Sequence, residues 1–319
     1  MPTMSRNRPA GGLVLPKRIG RSARPQTLMG LVWRRFRSHR MALIGSLLLA
    51  LVLGYLVVGS FVFSEAYADD VNIRAKWEAP SAEHPMGTDG VGRDVMARTI
   101  YGGQISLAIS LVSVLVTTCV GTLLGLLSGY YRGFLDSLIM RITEALMSIP
   151  LLFLLLVVSK FIGANIPEVT ILGRTISGSV LVIILVLGFT TWMGLARLVR
   201  ANVLSLKERE FVVAAVALGA SDWRIIWRHI LPNTLAPIIV TATLGISGVI
   251  LAEAGASFLG MGVQAPSASW GNMVQAAMER MDRAWWLWFF PGFLILLTVL
   301  SVNFIGDGLR DALDPYSNK

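Results

Sequence analysis

"MALIGSLLLALVLGYLVVGSFVF", Met41 to Phe63, is an apolar run without a single charged residue. A helix of this length reaches across the ~30 Å hydrocarbon core of a bilayer. A helix on the surface of a soluble protein would show a polar face, and this run has none. It is the clearest expected span, and the rest of the chain is read outward from it.

Toward the N-terminus the chain becomes basic. Arg6, Arg8, Lys17, Arg18, Arg21, Arg24, Arg34, Arg35, Arg37 and Arg40 precede the run with no acid among them. A basic leader before a span is the positive-inside signal. Residues 1 to about 26 are rich in Pro, Gly, Arg and Ser, a composition expected to be disordered. "LMGLVWRRFRSHR" is amphipathic and is expected to lie along the inner membrane face. The leader is too long and too basic for an ordinary signal peptide, and no small-residue cleavage site follows the run. Residues 1–40 are therefore expected to be a cytoplasmic tail and 41–63 the first transmembrane helix.

Toward the C-terminus, residues 64–102 are polar with acids in excess, and alternation places them outside the cell. Further apolar runs follow at about 105–131, 138–161 (containing Pro150), 179–198, 234–256 and up to about Ile305. Gly121, Gly125, Ser128 and Gly129 form a small-residue stripe that lets a neighbouring helix approach closely. "WWLWFF", Trp285 to Phe290, sits where an interfacial aromatic belt is expected. Backbone groups in a bilayer must be satisfied internally, so these runs should be helices, and barrel-type alternation is absent. The expectation is an all-α integral membrane protein of about six transmembrane helices with both termini cytoplasmic. Residues 103–310 would hold five of them and 311–319 a cytoplasmic tail.

Composition agrees. The chain is 54% hydrophobic and only 15% charged, against about 25% charged in soluble domains. Its net charge of +9 is concentrated on segments expected to be inside, and no nucleic-acid-binding motif accompanies it. Cys119, the only cysteine, lies within an apolar run and permits neither an internal disulfide nor a Cys-based zinc site. No Gly-Lys pair occurs, so there is no phosphate-binding loop of the GxxxxGK[ST] type. His39, His84 and His229 are far apart with no HExxH, and no GxSxG elbow is present. Nothing points to an active site, a bound cofactor or a metal in this chain. Two acids interrupt the apolar runs, Glu144 in "MRITEALMSIP" and Glu253 in "LAEAGASFLG". An ionisable residue inside a span is a candidate pathway residue. Arg141 stands at i−3 from Glu144, within reach of a local ion pair.

The loop within 200–233 is the most mixed inner segment: "KEREFVVAAVALGASDWRIIWRHILPN". Apolar spacing over Phe211–Leu218 predicts a short helix, and Gly219 its stop. Ser221 or Asp222 can cap a second short helix carrying Trp223, Ile226 and Trp227 on one face, and Pro232 then opens the fifth span. Such apolar surface should be covered, by lipid or by a partner protein.

"AAVALG" followed by "LP" resembles the cytoplasmic-loop signature of ABC importer permeases, EAA, then Gly, then Ile-x-Leu-Pro. Ala214, Ala215, Gly219, Leu231 and Pro232 match; Val213 stands in place of the Glu and His229 in place of the Ile. "MGTDGVGRDVMARTIYGGQISL", "SFLGMGVQAPSASWGNM" and "NFIGDGLRDALDP" resemble segments of the dipeptide/oligopeptide/nickel branch, in its second, shorter-loop permease subunit. The resemblance implies a type I importer permease in a bacterial or archaeal cytoplasmic membrane. It also implies a second homologous permease, two ATPase subunits that bind ATP, and an extracytoplasmic solute-binding protein. Ala214, Ala215, Gly219, Ala220, Ser221, Asp222 and Trp223 would form the coupling helix seated on an ATPase. Peptides are the implied cargo, with nickel complexes, glutathione or oligosaccharides as alternatives; a secondary transporter acting alone is the runner-up.

Overall fold

The computed structural model describes residues 28–161, 167–171, 174–265 and 267–314. The expected disordered leader lies outside these residues. Helix α1 (Leu28–Ser38) leads into α2 (Arg40–Val62), whose first turn is capped by His39, Nδ1 accepting the Ala42 N–H at 3.1 Å. A short α3 (Glu65–Asp69) and a 3₁₀ turn at Ile73–Ala75 begin a polar cap. Asp94 then caps α4 (Val95–Tyr131) by accepting the Ala97 N–H at 2.8 Å. After it come α5 (Gly133–Met147), α6 (Leu151–Phe161), α7 (Gly178–Leu206), α8 (Glu210–Ala217), α9 (Asp222–Ile225), α10 (Leu231–Phe258), α11 (Trp270–Ala276) and α12 (Trp286–Leu313). Among the described residues, five helical runs are long and apolar enough to cross a membrane, or six when the bent pair α5–α6 counts as one span. Among the described residues, the fold is all-helical apart from one antiparallel strand pair, Val169–Ile171 with Arg174–Ile176.

The small-residue stripe of α4 packs on α7. A Cβ on Gly121, Gly125 or Gly129 would stand 2.9 Å from the Trp192 carbonyl oxygen, 2.6 Å from that of Ala196 or 2.7 Å from the Val203 Cβ. Only glycine allows this approach, and the contact is extended by Thr117, which bonds Thr191 and the Gly188 carbonyl. Gly45 of α2 similarly meets the Ser301 carbonyl of α12.

The polarity of the bundle follows from antiparallel contacts. Ser247 of α10 bonds Asn303 of α12 at 2.7 Å, while Leu244, earlier in α10, meets Gly306, later in α12. The end of α12 therefore lies where α10 begins. Helix α1 joins it there: Arg35 donates to the Asp314 carbonyl at 2.8 Å, and His39 Nε2 is 3.5 Å from Asp311. Both described ends of the chain and the segment 207–230 thus share one end of the bundle, here called proximal. The distal end carries residues 64–94, 259–265 and 267–285, with α11 among them.

Four expectations change. The run 138–161 is not one helix, because the chain bends by 80° around Pro150. Proline has no N–H and disfavours a helical conformation in the residue before it, so α5 ends and α6 starts anew. Helix α7 continues past Leu198 to Leu206. The second short helix is not separate from the fifth span: Asp222–Phe258 is one continuous run with a π turn at Ile226–Ile230. The Leu231 N–H reaches the Ile226 carbonyl five residues back, and Pro232, which has no N–H, is accommodated within that run. Likewise Trp286 of the aromatic cluster is buried, donating to the Thr88 carbonyl at 3.1 Å, while Trp285, Trp288 and Phe289 are exposed.

Candidate functional site

The proximal segment is built on a buried apolar floor. Val212 of α8 and Ile225, Ile226 and Ile230 beyond it pack with Leu126, Leu195, Val199 and Val203. Helix α8 ends in a Schellman motif: the Gly219 N–H bonds the Val216 carbonyl at 2.9 Å, and the Ala220 N–H bonds the Ala215 carbonyl at 3.1 Å. Gly219 has φ +78°, and space around it is open, so backbone conformation alone calls for glycine there. Facing away from the floor are Val213, Ala214, Val216, Leu218 (88% exposed), Trp223 (69% exposed) and Trp227.

The seven candidate residues divide accordingly. Ala214, Gly219, Ser221, Asp222 and Trp223 are exposed, Ala220 is half-buried and Ala215 is buried. Small size at Ala215 therefore serves packing inside the chain. Ile226 does not share a face with the tryptophans: it is buried, while the Trp223 and Trp227 rings meet at 5.0 Å on the outside. His229 sits 6.4 Å from the Phe211 ring, between α8 and the start of the long helix.

Beneath this segment lies a polar network. The Tyr130 hydroxyl donates to Asp222 Oδ1 at 2.7 Å. Lys207 Nζ donates to the Tyr130 carbonyl and stands 4.7 Å over its ring. Burial, with Arg132 nearby, lowers the Lys207 pKa from its ordinary value. Arg200 grips Asp136 with two bonds of 2.6 Å, and Ser128 donates to the same carboxylate. These groups join α4, α5, α7 and α9, and sequence spacing gave no sign of them.

The two candidate acids occupy different settings. Glu253 is fully buried toward the distal end. It accepts from Ser257 at 2.7 Å and Ser106 at 3.0 Å; Ser106 also accepts the Trp270 N–H, and Ser257 the Val263 N–H. Glu253 thus ties α10 and α4 to the loop leading into α11. Glu144 is exposed on α5, 4.0 Å from Arg141. Among the described residues, no three His, Cys, Asp or Glu side chains group to hold a metal.

Residues 121–318 match the family described as "Binding-protein-dependent transport system inner membrane component". The chain belongs to that family. It is a multi-pass permease component of an ABC importer. Residues 27–80 of this permease also match the "N-terminal TM domain of oligopeptide transport permease C". It is 38% identical over 284 residues to the dipeptide transport system permease protein DppC of Bacillus subtilis, covering 89% of this chain and 84% of that one. It is 38% identical over 283 residues to the oligopeptide transport system permease protein OppC of Haemophilus influenzae, covering 88% and 86%. The permease also resembles a chain of the MetNI methionine ABC transporter in inward-facing form, with a TM-score of 0.55 and 19% identity over 69% of this chain and 97% of that one. That likeness speaks to the fold.

Proposed function

We propose that this permease imports short peptides, together with a second homologous permease, two ATPase subunits and an extracytoplasmic binding protein. ATP is bound and split on the partner ATPases. The proximal end faces the cytoplasm. The basic flank of α1, the only described approach to α2, supports this orientation. Peptide cargo is supported by relatives whose names carry dipeptide and oligopeptide transport and by the match of residues 27–80.

The observation that carries the coupling assignment is the exposed apolar face of α8–α9. Val213, Val216, Leu218 and Trp223 project from the bundle end, on a rigid buried floor. An apolar patch of this kind marks an interaction site. Ala214, Gly219, Ser221 and Trp223 are its contact residues toward the ATPase. Asp222 works inward, because Tyr130 holds it and so joins the patch to α4. A ligand event shifts a two-state equilibrium only by its differential affinity for the states. ATP-driven movement of the partner supplies that difference, and the Asp222–Tyr130 contact passes it to the spans.

The test is co-purification in mild detergent with the partner subunits expressed together. Leu218→Asp and Trp223→Asp alter exposed positions, so the chain should still insert. The expected result is loss of most bound ATPase. Retention of the ATPase by both variants at the wild-type level overturns the coupling assignment.

A further inference from the structure

We propose that the α5 face bearing Arg141 and Glu144 lines an aqueous pathway through the bilayer and receives the carboxylate and ammonium groups of a zwitterionic solute. The inference rests on the importer reading above and adds to it the residues that meet the cargo.

Depth is the first observation. Leu146 packs against Trp192, Met193 and Ala196, which lie in the proximal half of the apolar run of α7, just before Arg197. Glu144 precedes Leu146 by two residues, about 3 Å of helical rise. Arg141 is one turn nearer Asp136, which Arg200 of α7 holds. Glu144 therefore projects within the proximal half of the apolar thickness, with Arg141 at its edge.

Exposure is the second. The Arg141 and Glu144 side chains are 86% and 65% exposed, and the ion pair at 4.0 Å joins them to each other. The opposite face of α5, with Ile139 and Thr143, is the one buried against the rest of the chain. Charged side chains at such depth face a bundle interior or a water-filled cavity, because hydrocarbon does not solvate them. The exposed face of α2 shows the contrast: Leu47, Leu51, Val58 and Phe61 present only apolar groups.

The break is the third. Ser148, Ile149 and Pro150, at the 80° bend between α5 and α6, are exposed. Non-helical backbone at membrane depth persists only where protein buries it or water reaches it. Interrupted helices with their free ends are a recurring way to build a solute site near the midplane. A dry protein interface would leave most guanidinium donors and carboxylate acceptors unmet, since a 4.0 Å contact satisfies few of them. Water meets them.

The pair also has recognition chemistry. A guanidinium binds a carboxylate through two parallel hydrogen bonds, and a carboxylate binds an ammonium. The Arg141–Glu144 pair is solvated and weak, so a solute with both charges can replace it by exchanging partners.

The whole complex, reconstituted in liposomes, tests this. Cys119 is the only cysteine of the chain, so a Cys119→Ser background gives a clean start. Single cysteines are placed at Glu144, at Ser148, exposed one turn beyond it, and, as a lipid-facing reference, at Leu47. A charged, membrane-impermeant methanethiosulfonate is the probe. Modification at 144 and 148 should be on the order of tenfold faster than at 47, because the thiolate forms in water. At 148, where Arg141 and Glu144 are both intact, millimolar dialanine should slow it several-fold, and dialanine blocked at both ends should not. Rates at 144 no faster than at 47 overturn the pathway assignment. No slowing by dialanine, or equal slowing by the blocked form, overturns the recognition of a zwitterion. A preparation without bound ATPase fails the importer reading, whereas one that keeps its ATPase and leaves residue 144 unmodified fails this inference alone.

Discussion

At the scale of single residues, Gly219 and Tyr130 decide how the proximal segment is held. Gly219 is required by its backbone angle, with nothing near the place a side chain would take. Replacement by valine forces a β-branched residue into the left-handed region, at about 1–2 kcal/mol. The Gly219→Val chain should insert normally but consume more ATP per solute imported, measured as the ratio of hydrolysis to uptake in liposomes; an unchanged ratio would count against the coupling role. Tyr130→Phe keeps the ring beneath Lys207 and removes only the bond to Asp222, worth about 1 kcal/mol. The same ratio should rise, and adding Asp222→Asn should change little more, since both act on one contact. The glycine was legible, because a helix stop has a chemical signature. The tyrosine was not, because it meets a partner 92 residues away through a side chain whose direction no local spacing specifies. Val213 and His229, departures from the family signature, now have surroundings: Val213 belongs to the exposed face, and His229 lies beside Phe211.

At the scale of elements, the α4–α7 contact is the most demanding. Gly125→Leu would drive side-chain atoms into the Ala196 carbonyl, an overpacking that costs typically 1–3 kcal/mol or more. Gly194 of α7 has open space instead, so Gly194→Ala is the matched control. Thermal melting of the purified chain in detergent should show a lower midpoint for the first and little change for the second. The stripe was legible, since glycines at helical spacing have one common use in membranes. Its partner helix was not, because any of several apolar runs could have met it. The division of the third span at Pro150 was legible only as a proline; the size of the bend depends on what packs beside α5 and α6. The continuity of α9 with α10 was hidden by Pro232, which marks a helix start in most settings and here follows a π turn.

At the scale of the whole molecule, hydropathy alone located the crossing helices, because a bilayer requires an apolar stretch of about the same minimum length in each. What hydropathy could not locate was the meaning of the two acids, since burial is a property of the assembled bundle. Glu253 fastens the loop before α11 to α4 and α10. Glu253→Gln preserves the acceptor toward one serine, whereas Glu253→Leu leaves Ser106 and Ser257 without their carboxylate. The leucine variant should expose residues 259–277 to added protease faster than the glutamine variant, read by mass spectrometry of the fragments; equal cleavage would sink the fastening role. The glycine-lined seam between α4 and α7 reaches furthest in its effect. Packed closely along this seam, the two helices should tilt together as one beam, with Tyr130 near its base. At 1.5 Å per residue the 37-residue α4 is about 55 Å long, so a tilt of about 5° swings its tip by about 5 Å. A displacement of that size is comparable with the width of a peptide backbone, so a modest rocking at the base is enough to open or shut a doorway at the other end.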